Sequence, residues 1–130
     1  MNDSHWSKTL NPFSTYTDVF VIASSIKLNQ EPSVVRESIV ALTQNRKYNP
    51  DLYHSAGILS YMLFENTKDL ADEVLSFSNL EQAKQMDQTQ PKQLLTYAYV
   101  AYQSGNRDLA EQLLTQSYGE AEIQSNNFYN

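Results

Sequence analysis

Apolar residues recur three or four positions apart along most of this chain, and the period is clearest between residues 94 and 118. The first part of this stretch follows an i, i+3, i+4, i+7, i+8 pattern at Leu94, Tyr97, Ala98, Ala101 and Tyr102. Gly105 then interrupts the period, as a glycine beyond a helix C-terminus does. Helical spacing resumes at Leu109, Ala110, Leu113, Leu114 and Tyr118. Such stripes are typical of amphipathic helices, so the pattern predicts two short helices folded back on each other.

Four further helical patterns precede this pair. They predict helices over about residues 15–28, 33–44, 50–64 and from 69 onwards. Prolines at 32, 50 and 91 fall at the breaks between patterns, where the first turn of a helix tolerates proline. The fourth helix admits two interpretations, because Ser78-Asn79 either interrupts it, leaving a separate piece over 80–86, or lies inside one continuous helix. Gly119 predicts the end of the last helix.

These helices pair along the chain into three predicted hairpins, at about residues 15–47, 50–88 and 91–119. Together they form one predicted helical domain over residues 14–120. The polar stretch 1–13 and the tail 121–130 show no helical period, so we expect flexible segments there.

Sliding the chain along itself reveals an internal repeat. A shift of 39 residues places the Asp-Leu-Ala segment at 69–71 on the identical segment at 108–110. A shift of 35 residues places Ile26, Val35 and Ile39 on Tyr61, Leu70 and Val74. A period in the middle to upper thirties predicts stacked helical hairpins, because one hairpin alone cannot bury its own apolar faces.

The third hairpin resembles a tetratricopeptide repeat. Ala98 matches the family's small residue in the first helix, Gly105 its turn glycine, and Ala110 its small residue in the second helix. The same positions hold Leu59, Asn66 and Ala71 in the second hairpin, and Ser24, Glu31 and Arg36 in the first. The resemblance implies an all-α fold of three stacked antiparallel hairpins, a short α-solenoid.

The resemblance also implies which residues bind a partner, because in this family the first helix of each hairpin lines a concave groove. In the second hairpin the matching positions are Tyr53, Ala56, Ser60, Leu63 and Phe64. In the third they are Lys92, Leu95, Tyr99, Tyr102 and Gln103. The first hairpin would add Asp18, Val21, Ser25 and Leu28. Tyr61 and Tyr97 are expected in the core, whereas Tyr99 lies off the apolar stripe and belongs either to the groove or to the core.

Composition narrows the class of protein. The chain has 130 residues, enough for one domain with a modest core. Its net charge of −6 and lack of a basic cluster argue against nucleic acid as a partner. It contains no cysteine, which excludes disulfides and zinc-thiolate sites. No apolar run approaches the length of a membrane span, so we expect a cytoplasmic protein without a membrane span.

Candidate chemistry is sparse. Asp51 and His54 share a helix face at a spacing of three residues, but no second histidine lies nearby to complete a metal site. Asp72, Glu73 and Asp108 fall early in second helices, where they complement the helix dipole. No nucleophile motif or glycine-rich phosphate loop is present. We therefore expect neither an enzyme nor a bound metal or cofactor.

The sequence thus predicts a non-catalytic module that holds a partner helix in its groove. In size, acidity and three-hairpin plan it is similar to the tetratricopeptide-like chaperones of bacterial type III secretion. This resemblance implies an amphipathic or apolar partner helix, such as a needle or translocator subunit. The alternatives are a general scaffold or adaptor, a self-assembling homo-oligomer, and, remotely, a small enzyme or metal protein around His54.

Overall fold

The computed structural model describes residues 13–44 and 48–129. This part of the chain contains six α-helices and no β-strand: α1 Phe13–Lys27, α2 Pro32–Gln44, α3 Pro50–Thr67, α4 Leu70–Met86, α5 Pro91–Gln103 and α6 Arg107–Tyr129. The predicted all-α class is confirmed. The flexible segment predicted over residues 1–13 lies almost entirely outside the described residues.

Polar caps and left-handed residues fix the helix ends. The Asn49 side chain accepts the Leu52 amide at 3.3 Å, with Pro50 in the first turn of α3, and the Asp69 side chain accepts the Ala71 amide at 3.0 Å before α4. The first helices of the three pairs are followed by residues with positive φ: Asn29 (56°), Lys68 (56°) and Gly105 (88°). The left-handed turn residues are therefore Asn29 and Lys68, rather than the Glu31 and Asn66 that we matched to the family's turn glycine.

Two predicted helix ends are settled by the structure. Helix α4 is continuous to Met86, and the Asn79 amide donates to the Leu75 carbonyl one turn earlier in the same helix. Helix α6 runs past Gly119 to Tyr129, so the predicted stop at Gly119 is wrong, and the tail predicted to be flexible is helical as far as Tyr129. A single glycine costs a helix only about 1 kcal/mol, and the extension is held by a 2.6 Å hydrogen bond from the Gln124 amide to the Thr89 carbonyl.

The first hairpin, α1 and α2, packs on α3 through an aliphatic cluster. Its buried members are Ile22, Ile26, Val35, Ile39, Leu42, Ala56, Leu59 and Leu63. A hydrogen bond of 3.0 Å from the Asn66 amide to the Ile26 carbonyl joins the ends of α1 and α3. The side chains of this interface are small or aliphatic, which allows the backbones to approach closely.

A second cluster joins the second hairpin, α3 and α4, to the third, α5 and α6. Its buried members are Tyr61, Leu80, Leu94, Tyr97, Ala98, Val100, Ala101, Ala110 and Leu113. Phe64, Phe77 and Leu109 pack against it. The expectation that Tyr61 and Tyr97 belong to the core is confirmed.

Helix α4 buries polar side chains, and each of them has a partner. Asp72 is fully buried and receives two hydrogen bonds from the Arg36 guanidinium, at 2.6 and 2.8 Å, and one from the Thr67 hydroxyl at 2.8 Å. The Ser76 hydroxyl donates to the Gly57 carbonyl at 2.7 Å. Such pairing is what makes burial of these groups tolerable.

Gly57 permits this close contact between α3 and α4. A Cβ atom at this position would lie 2.6 Å from Leu80 Cγ and 3.1 Å from the Ser76 carbonyl oxygen. The glycine therefore serves as the small residue at the helix crossing in the second hairpin.

The structure also corrects the register of the repeat. Helices α4 and α6 begin at Leu70 and Arg107, 37 residues apart, and Ala71 is exposed whereas Ala110 is buried. The shift of 39 is therefore wrong by two residues. The shift of 35 is wrong as well, because it places buried Ile39 on exposed Val74. A shift of 37 instead places the buried residues Val35, Ile39 and Leu42 on Asp72, Ser76 and Asn79, which are also buried.

Candidate interaction surface on the third hairpin

The predicted groove residues of the third hairpin lie at the surface. Leu95, Tyr99 and Tyr102 are exposed by 51, 60 and 57 %, and Lys92 and Gln103 are exposed as well. All five lie on α5, which is anchored by burial of its opposite side. Tyr99 therefore belongs to the surface and not to the core.

The predicted groove residues of the second hairpin do not form such a surface. Ala56, Ser60 and Leu63 are buried, and Ala56 and Leu63 belong to the aliphatic cluster that faces the first hairpin. The Ser60 hydroxyl is turned back onto the Ala56 carbonyl at 2.8 Å. The prediction is wrong for these three residues, because α3 is packed on both sides and its inward stripe is wider than the family pattern implies.

Tyr53 and Phe64 are placed differently from each other. Tyr53 lines a polar depression with Thr43 of α2 and Ser78 of α4, away from the exposed residues of α5. Phe64 is half-buried against the second cluster, with the Tyr61 ring centroid 6.0 Å away. Neither residue extends the exposed surface of α5.

The predicted groove residues of the first hairpin also differ from one another in exposure. Val21 and Leu28 are exposed, whereas Asp18 and Ser25 are half-buried. The Ser25 hydroxyl donates to the Val21 carbonyl at 3.0 Å, a contact within α1.

Helix α6 supplies surface residues that the sequence assigned to a buried stripe. Leu114 and Tyr118 are exposed by 47 and 74 %. Together with Leu95 and Ala121 they line an open groove with a volume of about 620 Å³. We call Leu95, Tyr99, Tyr102, Leu114 and Tyr118 the hairpin-three face. The burial of Leu113 but not Leu114 separates the core stripe from this face, a distinction that helical spacing alone does not make.

Charged groups border the hairpin-three face. The Arg107 guanidinium lies over the Tyr102 ring at 5.9 Å, a cation–π contact that holds the tyrosine at the surface. Lys92 lies one turn before Leu95 on α5, and Glu111 lies one turn before Leu114 on α6. The face thus has an apolar, aromatic centre with basic residues beside α5 and an acidic residue beside α6.

His54 is half-buried on α3. Burial lowers its pKa, outweighing a hydrogen bond with the Gln93 backbone and the charge of Asp51, which raise it. Its Nε2 atom is buried, with no hydrogen-bond partner among the described residues. Within residues 13–44 and 48–129, no three metal-binding side chains cluster, and no helix is long and apolar enough to cross a membrane.

The chain was also compared with known proteins. No protein-family model matches it, and neither a curated protein nor a solved structure matches it. The tetratricopeptide resemblance therefore depends on the residues quoted above, and it stays a prediction.

Proposed function

We propose that this protein is a non-catalytic binding module that holds a helical segment of a partner protein on the hairpin-three face. One observation carries the proposal: five large apolar side chains on two adjacent helices are exposed by 47 to 74 %. Three of them, Leu95, Leu114 and Tyr118, line one open groove, and exposed apolar surface of this kind marks interaction sites in soluble proteins.

The spacing of these residues favours a helix as the ligand. Leu95, Tyr99 and Tyr102 form one ridge along α5, and Leu114 and Tyr118 form a second ridge along α6. Two parallel ridges with a groove between them accept the apolar side of a third helix. Tyrosine suits such a surface, because its ring contributes apolar contact and its hydroxyl tolerates water when the site is empty.

The wider architecture is part of the proposal. We infer that the three hairpins stack as a short tetratricopeptide-like solenoid, supported by the 37-residue recurrence of buried positions between the first two. A chaperone that holds an amphipathic subunit before export, as the resemblance implies, would use the hairpin-three face for this purpose. A scaffold or adaptor would use the same face with a different partner.

Site-specific photocrosslinking in native cells tests the proposal. A photoreactive phenylalanine derivative replaces Tyr99 in one variant and Tyr48 in a control, since Tyr48 is 91 % exposed but lies outside the face. We expect the probe at position 99 to crosslink one partner protein through a segment that mass mapping assigns to a helix, and the probe at position 48 to give no such product. Equal crosslinking at both positions, or none at position 99, would contradict the proposal, and crosslinks at position 99 only to the protein itself would replace it with self-assembly.

A further inference from the structure

We infer that the hairpin-three face repeats the interface by which the second hairpin holds α5, and that its occupant is one amphipathic helix of another protein, lying parallel to α5 and carrying basic side chains. This inference rests on the proposed function and specifies its partner. It is argued from three observations: buried positions recur between the second and third hairpins, α5 is held by known contacts, and acidic residues outnumber basic ones on the third hairpin.

Buried positions recur between the second and third hairpins, with a shift of 38 residues for the first helices and 37 for the second helices. Moving α3 by 38 residues places the buried residues Ala56, Leu59, Ser60 and Leu63 on Leu94, Tyr97, Ala98 and Ala101, all of them buried. Moving α4 by 37 residues places buried Ser76 and Leu80 on Leu113 and Ser117, which are also buried. Corresponding positions in the two hairpins can therefore be compared directly.

In the first helix of each hairpin, aromatic residues that are packed in α3 correspond to aromatic residues that are exposed in α5. Tyr61 and Phe64 of α3 pack against the cluster of the third hairpin, and Tyr61 is only 9 % exposed. Their counterparts, 38 residues later, are Tyr99 and Tyr102, which nothing in the described chain covers to the same extent. The same kind of side chain is thus buried where a following helix is present and exposed where it is not.

The second helices show the same relation. Phe77 meets the Tyr97 ring edge-on at 6.1 Å between centroids, and Glu81 accepts a 2.9 Å hydrogen bond from the Tyr97 hydroxyl. Their counterparts, 37 residues later, are Leu114 and Tyr118, both exposed. The hairpin-three face therefore offers the positions that receive α5, without a helix lying on them.

The way α5 is held indicates how the occupant lies. Near its N-terminus, Gln93 donates a 2.7 Å hydrogen bond to Asp51 at the start of α3, and one turn later Tyr97 reaches Glu81. Farther along both helices, Tyr61 of α3 lies close enough to Tyr99 of α5 to interact with it electrostatically, so the helices α3 and α5 run in the same direction. A helix held in the same way on the hairpin-three face would begin near Lys92 and run parallel to α5.

Charge favours a helix of another protein, rather than a second copy of this chain, as the occupant of the hairpin-three face. The third hairpin carries two basic residues, Lys92 on α5 and Arg107 on α6, against four acidic residues on α6, Asp108, Glu111, Glu120 and Glu122. Two copies meeting through this face would bring both acidic helices together, and each chain has a net charge of −6. Like charges across an interface oppose association, whereas a basic helix is attracted to this surface.

Two synthetic peptides test the inference. Both contain residues 88–106, so that both keep the side of α5 that faces the second hairpin, and both carry a fluorophore. One replaces Leu95, Tyr99 and Tyr102 with lysine, and the other replaces the same three residues with glutamate. These positions are exposed in α5, so the two peptides differ in charge but not in the contact stripe. We expect the lysine peptide to bind the full-length protein at least ten-fold more tightly than the glutamate peptide in low salt, measured by fluorescence anisotropy.

Protein variants locate the binding site. Leu114→Ala/Tyr118→Ala is expected to weaken binding of the lysine peptide at least ten-fold, while the control Tyr48→Ala leaves it unchanged. Circular dichroism checks that each variant keeps its helical signal. Loss of affinity in Phe77→Ala but not in the Leu114/Tyr118 variant would mean that the peptide displaces the chain's own α5, and it would overturn the inference.

Two further outcomes would also overturn it. The first is no binding of the lysine peptide to the wild type. The second is a concentration-dependent dimer in sedimentation equilibrium that Tyr118→Glu converts to monomer, since that result identifies a second copy as the occupant. If the peptides fail while a probe at position 99 still crosslinks a helical partner, the inference falls and the proposed function stands.

Discussion

The two interfaces between hairpins are built from different chemistry. The first hairpin meets α3 through aliphatic side chains and is fixed to α4 by the Arg36–Asp72 ion pair. The third hairpin meets the second through aromatic rings and two side-chain hydrogen bonds, from Tyr97 to Glu81 and from Gln93 to Asp51, with the backbones further apart. The aliphatic interface leaves little room for adjustment, whereas the aromatic one is made of side chains that also tolerate exposure. This difference explains how tyrosines on the hairpin-three face can remain without a covering helix.

The largest expected effect comes from breaking the ion pair at the first interface. Arg36→Met leaves the fully buried Asp72 carboxylate with only the Thr67 hydroxyl as partner. Removing one partner of a buried pair typically destabilises by about 3–5 kcal/mol, and we expect the lower end because Arg36 is partly exposed. Urea unfolding followed by circular dichroism measures this loss.

A double mutant provides the matched control. Arg36→Met/Asp72→Leu removes both charges and is expected to recover most of the stability lost in the single variant, because no unpaired charge remains buried. If the double variant is as unstable as Arg36→Met alone, packing rather than the ion pair holds this interface.

The second prediction concerns the crossing of α3 and α4, to which both interfaces attach. Gly57→Ala raises helix propensity by about 1 kcal/mol, but its Cβ would lie 2.6 Å from Leu80 Cγ. Overpacking of a core costs about 1–3 kcal/mol, so we expect a net loss of stability in thermal unfolding. Gly57→Ala/Leu80→Ala separates the two effects: if the clash is the cause, adding Gly57→Ala to a Leu80→Ala background is stabilising.

The number and order of helices follow from the sequence, because prolines, caps and apolar spacing agree at each break. The buried polar stripe of α4 could not be predicted in the same way. In the sequence, Asp72, Ser76 and Asn79 look like the solvent-exposed side of a helix. Only the fold brings Arg36, 36 residues away, against Asp72, and the Gly57 carbonyl against Ser76. This stripe also hid the 37-residue recurrence of buried positions, since α4 has polar residues where α2 has the apolar residues Val35, Ile39 and Leu42.

The candidate surface was predicted only in part. Leu95, Tyr99 and Tyr102 were found because they match groove positions of a resembling family. Leu114 and Tyr118 were missed because they follow the helical period of α6, and only the position of α5 decides which side of that helix is covered. A repeat pattern predicts that interfaces recur, but it does not show which interface has no neighbour.

The third prediction weakens the second interface by one hydrogen bond. Tyr97→Phe keeps the ring against Phe77 and removes the hydroxyl that donates to Glu81. A single intramolecular hydrogen bond contributes about 0.5–1.5 kcal/mol, and Glu81 can turn to water when the bond is lost, so we expect about 1 kcal/mol or less. Glu81→Gln serves as the control, because it keeps an acceptor for the hydroxyl and should cost less than Tyr97→Phe in the same urea titration.

The smallest effect is a dependence on pH that distinguishes the two interfaces. At the interface between the second and third hairpins, where His54 meets the Gln93 backbone, burial lowers the pKa of His54 below its ordinary value. The unfolded chain therefore takes up the proton first as the pH falls below about 6.5, and the stabilising contribution of neutral His54 is present above that pH and lost below it. At the first interface, burial alone would raise the pKa of Asp72, but the hydrogen bonds from Arg36 and Thr67 outweigh burial and lower it. The stabilising contribution of ionised Asp72 is therefore lost only as the pH falls below the ordinary pKa of an aspartate side chain.

The free energy of unfolding of wild type and His54→Gln, measured at pH 7.5 and pH 5.5, tests whether His54 titrates in this interval. His5 is present in both proteins, so its titration cancels in the comparison. The wild type should lose more stability than the variant over this interval, because only the wild type contains the buried imidazole. Arg36→Met/Asp72→Leu should show the same loss as wild type, since Asp72 is ionised at both values. An equal loss in wild type and His54→Gln would show that protonation of His54 does not weaken the aromatic interface, and it would leave the carboxylates as the groups that link stability to acid.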